Sequence, residues 1–331
     1  MLKEIRPSCH KLIQQYLLLN DIAELFERDF DEYISCPACK SKDNKYKFKK
    51  YELNFQQCNS CQTIFMSPRP SQDSMNQYYK TSRNYNYWAK NIFPQSAKSR
   101  KEKICKPSLE RIKKTLKEIF DFKKSSVLEI GPGFGIFAEL CIQEKIFKRY
   151  DVIEPTPSLA KHCREIGLSV FEQSIETFKK DISYDLIFAF EVLEHIYEPN
   201  NFLKKCNTLL NKNGILVISC PNGIGFDTKM LGAYSPSVDN EHVNLFSPQG
   251  IKEIFESSGF KILKLMTPGK MDVEIVKEFI LENPGILNSE KELDNLLKEV
   301  DNSVEDLQEQ IANRNESGHM WAFGQKDNSY K

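Results

Sequence analysis

Short runs of apolar residues, each stopped by a turn former or a charge, recur through the middle of the chain, at 127–130, 150–153, 184–190 and 215–219. Runs of this length without polar alternation predict strands buried on both faces, as in a parallel sheet covered by helices. Residues 136–144 predict a helix after the first of them. Residues 260–265 and 320–324 predict two more strands of the same domain, and the last of them needs a partner. The stretch 268–318 then becomes an insertion between them, with helices around 273–282 and 290–312. Upstream, Leu12, Tyr16, Leu19, Ile22, Leu25 and Phe26 stand near helical spacing, and Ile112, Leu116 and Phe120 share one face of a helix starting about Ser108. Residues 45–51 alternate lysine with aromatic side chains, a strand-like period of two. The chain therefore divides into a helical extension (1–33), a cysteine module (34–68), a helical linker (69–123) opened by Pro68-Arg69-Pro70, and an α/β domain (124–331).

The run Val127-Leu128-Glu129-Ile130-Gly131-Pro132-Gly133-Phe134-Gly135 carries the first strand straight into a glycine-rich turn. Glycine tolerates positive φ and close backbone approach, so a ligand can lie against main-chain N–H groups at the mouth of the next helix. The spacing is GxGxG, and Ile136 stands where a GxGxxG dinucleotide loop has its last glycine, which argues against NAD. Tyr150-Asp151-Val152-Ile153-Glu154 ends in a carboxylate suited to accept from both hydroxyls of a ribose. In this order, over residues 127–219, these segments resemble the class I S-adenosylmethionine (SAM) methyltransferases. The resemblance implies a Rossmann-like seven-stranded sheet whose last two strands, 260–265 and 320–324, pair antiparallel, and SAM as cofactor. It also implies a cofactor site of Glu129, Gly131, Gly133, Phe134, Gly135, Glu154, Pro155, Ser174, Ile175 and Phe190, with residues 172–176 bordering adenine. A non-catalytic protein on the same fold is the competing reading, and the intact Gly131, Gly133, Gly135 and Glu154 argue against it.

Charge changes the picture locally. The chain balances 46 basic against 46 acidic residues, yet residues 34–123 hold 20 basic and 7 acidic. Such a module attracts the phosphates of a nucleotide-linked substrate or of RNA, or is a solvated surface. No stretch approaches the roughly 20 apolar residues of a membrane span, and the N-terminus lacks a signal-peptide pattern, so the expected compartment is the cytoplasm. Ten cysteines there imply reduced thiols or metal. Cys36-Pro37-Ala38-Cys39 and Cys58-Asn59-Ser60-Cys61, separated by 18 residues, have the spacing of two knuckles around one structural zinc, a zinc ribbon. A redox pair is the weaker alternative, since two matched pairs flank a basic hairpin. Cys9, Cys105, Cys141, Cys163, Cys206 and Cys220 occur singly and are expected to be small buried hydrophobes.

In open α/β sheets ligands sit beyond the carboxyl ends of the strands. Just past the fourth strand stand Glu191, Glu194 and His195, read as the start of a helix with all three side chains on one face. Past the fifth stands His242. A histidine there takes a proton from a hydroxyl nucleophile, or the two carboxylates and imidazoles hold Mg²⁺ or Mn²⁺ that acidifies it; a purely structural role is the third option. The E-x-x-E-H run resembles that of ubiquinone-pathway O-methyltransferases and small-RNA 2′-O-methyltransferases, which implies a metal. The order of zinc ribbon, Pro-Arg-Pro linker, SAM domain and Glu-His motif, over 34–265, resembles the sugar C-methyltransferases of deoxysugar pathways and related surface-polysaccharide enzymes. Their Tyr-His-Glu-His run is here Asp239-Asn240-Glu241-His242, so only Glu241 and His242 carry over. The resemblance then implies O-methylation of a nucleotide-linked sugar or similar small glycan precursor, with sugar C-methylation and RNA methylation through the basic ribbon as alternatives.

Overall fold

The computed structural model describes residues 2–5, 10–26, 32–179, 181–286 and 289–330; Cys9 and the side chain of Phe26 lie outside them. The apolar runs become strands of one sheet. In chain order these are β4 (Ser126–Ile130), β5 (Arg149–Ile153), β6 (Ser169–Phe171), β7 (Tyr184–Phe190), β8 (Leu210–Pro221), β10 (Phe260–Met266) and β11 (His319–Lys326), after β1 to β3 and around β9, which belong to a smaller sheet. The sheet order is β10-β11-β8-β7-β4-β5-β6, with β4 to β8 parallel and β11 antiparallel to both of its neighbours. The helix predicted after β4 runs over Ile136–Gln143. The chain travels from β4 outward to β6, then returns to place β7 on the other side of β4. Strand order reverses at that point, which opens a crevice beyond the carboxyl ends of β4 and β7.

The insertion between β10 and β11 holds helices Asp272–Glu282, Ser289–Lys298 and Val304–Asn313, whose apolar faces pack on one another and on Phe226, Met230 and Leu231. The extension forms helix Lys11–Phe26, but only its later turns are buried: Ile22 and Leu25 are covered, while Leu12 is 80% and Tyr16 69% exposed. The expected apolar face therefore does not continue along the whole helix.

The linker departs most from its sequence reading. Helix Gln72–Thr81 comes first, and from Arg83, rather than from near Ser108, helical backbone runs without a break through Arg83–Tyr87, Trp88–Ile92, Phe93–Arg100, Lys101–Cys105 and Lys106–Leu116. Pro94 and Pro107 read as breaks, since proline lacks an N–H and its ring clashes with the carbonyl four residues earlier. Those carbonyls belong to Lys90 and Lys103, which lie in the two segments that widen into π turns. The wider turn removes the clash and lets the helix continue.

The cysteine module supplies β1 (Asn44–Lys50), β2 (Leu53–Cys58) and β3 (Ile64–Met66), joined between β1 and β2 by Tyr51 and Glu52, both at positive φ as a type I′ hairpin turn requires. Its fourth strand comes from far away: β9 (Asn244–Leu245) pairs with β3, and Met66 N–H donates to the Val243 carbonyl at 2.9 Å. Segment 34–68 does not complete its own sheet. The linker residue Arg69 is also no loose hinge; it is 2% exposed, paired with Glu32 and bonded to the Tyr197 carbonyl at 3.0 Å.

Candidate active site

The glycine turn follows β4, and Gly131, Gly133 and Gly135 all adopt positive φ, between 54° and 66°. A Cβ on Gly131 would stand 2.8 Å from Val192, so the turn touches the chain leaving β7. Nothing lies within 4 Å of the place a Cβ on Gly133 would occupy, which leaves the turn open to a ligand. Glu154 follows β5, is 4% exposed and accepts from the Thr156 N–H at 2.9 Å. Pro155 follows it at the surface. Ser174 and Ile175 follow β6, and Phe190 ends β7 against Phe137 and Trp321. All of these lie at the carboxyl edge. Phe134 stacks on Phe93 with ring centres 5.0 Å apart, so a residue of the linker helix helps to line the turn. Burial raises the Tyr85 hydroxyl, with Glu154 and Glu241 adding to the shift. Tyr85 belongs to an aromatic stretch legible in the sequence, but neither it nor Phe93 has a local signal that places it here.

Glu129, on β4, is 3% exposed and accepts from the Tyr150 hydroxyl at 2.8 Å. Burial, with Glu154 adding to it, raises its carboxyl to about 7. The sign follows: the ionised form is disfavoured in the folded state, so stability without ligand should fall as pH rises from about 4.5 to about 7, by on the order of 3 kcal/mol from this group. Melting curves across that range should be flatter for Glu129→Gln than for the wild type. A cationic sulfonium compensates the buried negative charge, so SAM affinity should rise over the same interval. Glu154→Ala should weaken SAM by roughly 10- to 150-fold, as loss of a charged hydrogen-bond acceptor costs about 1.5–3 kcal/mol. Calorimetry with an unchanged affinity would refute the placement of the ribose.

On the acceptor side the helix expected at 190–195 does not form. Glu191 sits at φ +54°, Leu193–His195 make a single 3₁₀ turn, and the helix begins only at Pro199. Helical spacing therefore does not apply, and Glu191 does not join the group that Glu194 and His195 form with His242. Its carboxylate accepts from Ser219 Oγ at 2.6 Å and from His319 Nε2 at 2.7 Å. Glu194, His195 and His242 do come together: one ligand atom from each lies within 4.8 Å of the others. His195 Nδ1 donates to the Glu241 carbonyl at 3.1 Å and lies 3.3 Å from the Tyr79 hydroxyl, while His242 Nδ1 donates to the Ser237 carbonyl at 2.8 Å. Carbonyls only accept, so in both neutral rings the lone pair is on Nε2. Both Glu194 oxygens are buried without a hydrogen-bond partner among the described residues. Burial lowers His195 to about 3, with His242 adding to the shift, and burial pushes Glu194 well above the usual carboxylate range.

The two C-x₂-C pairs also meet. Sγ atoms of Cys36 and Cys61, and of Cys39 and Cys58, are 3.5 Å apart, close to the ~3.8 Å edge of a tetrahedron with ~2.3 Å Zn–S bonds. Cys105, Cys141, Cys163, Cys206 and Cys220 are all buried.

Residues 98–265, just over half of the chain, match the methyltransferase domain family. The chain belongs to that family. This SAM-dependent methyltransferase is similar to the ubiquinone biosynthesis O-methyltransferases of Coxiella burnetii (26% identical over 164 residues, 46% of this chain and 70% of the relative) and Rickettsia canadensis (25% over 166 residues, the same shares). Its fold is similar to that of the methyltransferase solved with the Trm112 activator of Haloferax volcanii, at TM-score 0.50 and 13% identity over 73% of this chain and 97% of that one. No helix among the described residues is long and apolar enough to cross a membrane.

Proposed function

We propose that this methyltransferase O-methylates a small hydroxylated acceptor, with a divalent cation held by Glu194, His195 and His242. The observation that carries this reading is the convergence of two imidazoles, each fixed by a backbone carbonyl through Nδ1, on a carboxylate with no hydrogen-bond partner among the described residues. Neutral rings oriented in this way are metal ligands with their outer contacts already made. A bound Mg²⁺ or Mn²⁺ would lower the pKa of the acceptor hydroxyl. The protein's own part is to orient that oxygen toward the crevice beside Gly131 and keep the sulfonium against the open turn at Gly133.

The acceptor class proposed first is a nucleotide-linked sugar, on the resemblance carried by the order of ribbon, Pro-Arg-Pro linker and Glu-His motif. A phenolic ring is the second, supported by the match to ubiquinone-pathway enzymes. Sugar C-methylation is less well supported, because the Glu241 carboxylate accepts from the Tyr78 hydroxyl at 3.0 Å. The zinc ribbon and a cytoplasmic setting belong to the same proposal, since the five buried thiols outside the ribbon are unpaired and suit a reducing compartment. Incubation with SAM and a panel of nucleotide sugars and dihydroxybenzoates, read by product mass spectrometry, tests the proposal. A methyl group found on carbon, or on RNA in preference to every small molecule, would overturn it.

A further inference from the structure

We infer that His319, oriented by Glu191, is the base that takes the proton from the acceptor; this rests on the O-methylation proposed above. His319 is the first residue of β11 and pairs with Pro221 at the end of β8, so it stands at the same sheet edge as the glycine turn. Glu191 comes directly after β7 and directly before Val192, the residue that packs against Gly131. The dyad therefore lies beside the place where the cofactor turn meets the crevice.

Its geometry is that of an oriented base. Glu191 is locked by three contacts: its N–H donates to the Ser219 carbonyl at 2.9 Å, Ser219 Oγ donates to its carboxylate at 2.6 Å, and His319 Nε2 does so at 2.7 Å. A proton on Nε2 leaves the lone pair on Nδ1, which has no partner among the described residues. The backbone at Glu191 is held in the left-handed region, costly for a residue with a Cβ, and the fixed carboxylate is what that conformation achieves.

The other two imidazoles are poorly suited to this task. Both have Nδ1 engaged by a carbonyl and converge with Glu194, so a cation there would take up the lone pair that each has left on Nε2. The side chains of His319 and Glu191 are 39% and 47% exposed, against 18% for His242, so a proton taken up by His319 can pass to water. In the step, Nδ1 takes the hydroxyl proton while the oxygen forms a bond to the methyl carbon. The carbon–sulfur bond breaks with its electron pair left on sulfur, giving S-adenosylhomocysteine, and the imidazolium then releases its proton to water.

Two measurements on the full chain test this. Carbethoxylation of His319 by diethylpyrocarbonate, mapped by peptide mass spectrometry, should slow severalfold when SAM is bound; an unchanged rate at saturating SAM would overturn the assignment. His319→Ala should keep SAM affinity and lose about 10²- to 10⁴-fold in kcat with the acceptor found by the product screen, and added imidazole should restore part of it. Turnover within about threefold of wild type would also overturn it. Should the alanine variant fail to fold, the labelling result on the native protein decides alone. A protein that binds no SAM would instead remove the reading on which the inference rests.

Discussion

Cys36→Ser, or exhaustive treatment with a strong chelator, is expected to unfold the ribbon and, with it, to disorder His242. Cys36, Cys58 and Cys61 are fully buried, and the ribbon is too small to hold its fold by apolar burial alone. In small zinc peptides the metal contributes roughly 10–16 kcal/mol of apparent binding free energy, most of it expressed as folding. The consequence reaches the acceptor site because the ribbon is built into it. Ile64 and Phe65 pair with Leu245 and Asn244, two to three residues beyond His242. Ser247 Oγ donates to the Cys61 carbonyl, and Gly250 comes so close to Thr63 that a Cβ there would meet its Oγ1 at 2.1 Å. Elemental analysis should find one zinc per chain. The serine variant should lose that zinc, melt at lower temperature and lose turnover, while SAM affinity changes far less because β4 and β5 lie outside the ribbon. A variant without zinc that melts like the wild type would exclude a structural metal.

The second large effect is expected at Glu194. With a cation between Glu194, His195 and His242, substitution of any one ligand should abolish high-affinity Mn²⁺ binding. Turnover should fall by on the order of 10²- to 10⁴-fold, as should removal of divalent cations from the wild type. Glu194→Gln is the most informative change, because it keeps the shape and removes a buried carboxyl whose oxygens have no hydrogen-bond partner among the described residues. It should fold at least as well as the wild type in the absence of metal and still fail to turn over. Titration with Mn²⁺, followed by electron paramagnetic resonance, reads the site without any acceptor. Full activity in Glu194→Gln, or in metal-free wild type, would leave the cluster with a structural role.

The correspondence between sequence and structure follows the range of the interactions involved. The four apolar runs, the glycine turn, the carboxylate after β5 and the alternating lysines of β1 could be read because each depends on a few neighbouring residues and their backbone preferences. The cysteine pairs could be read because metal ligation imposes a spacing. Glu191 could not, since its left-handed backbone is set by Ser219 and His319, which lie 28 and 128 residues away. The long linker helix was hidden behind two prolines that the π turns accommodate.

By itself, then, the sequence determined a parallel α/β sheet, a glycine turn after its first strand and a four-cysteine module, because periodicity and spacing act locally along the chain. Only the tertiary structure decided which polar groups share a site. It separated Glu191 from Glu194, gave Glu191 to a histidine on the last strand, and used β9 to tie the ribbon to His242. Those partnerships rest on strand order and on the need to satisfy buried polar groups. Neither leaves a mark on the residues immediately before or after them.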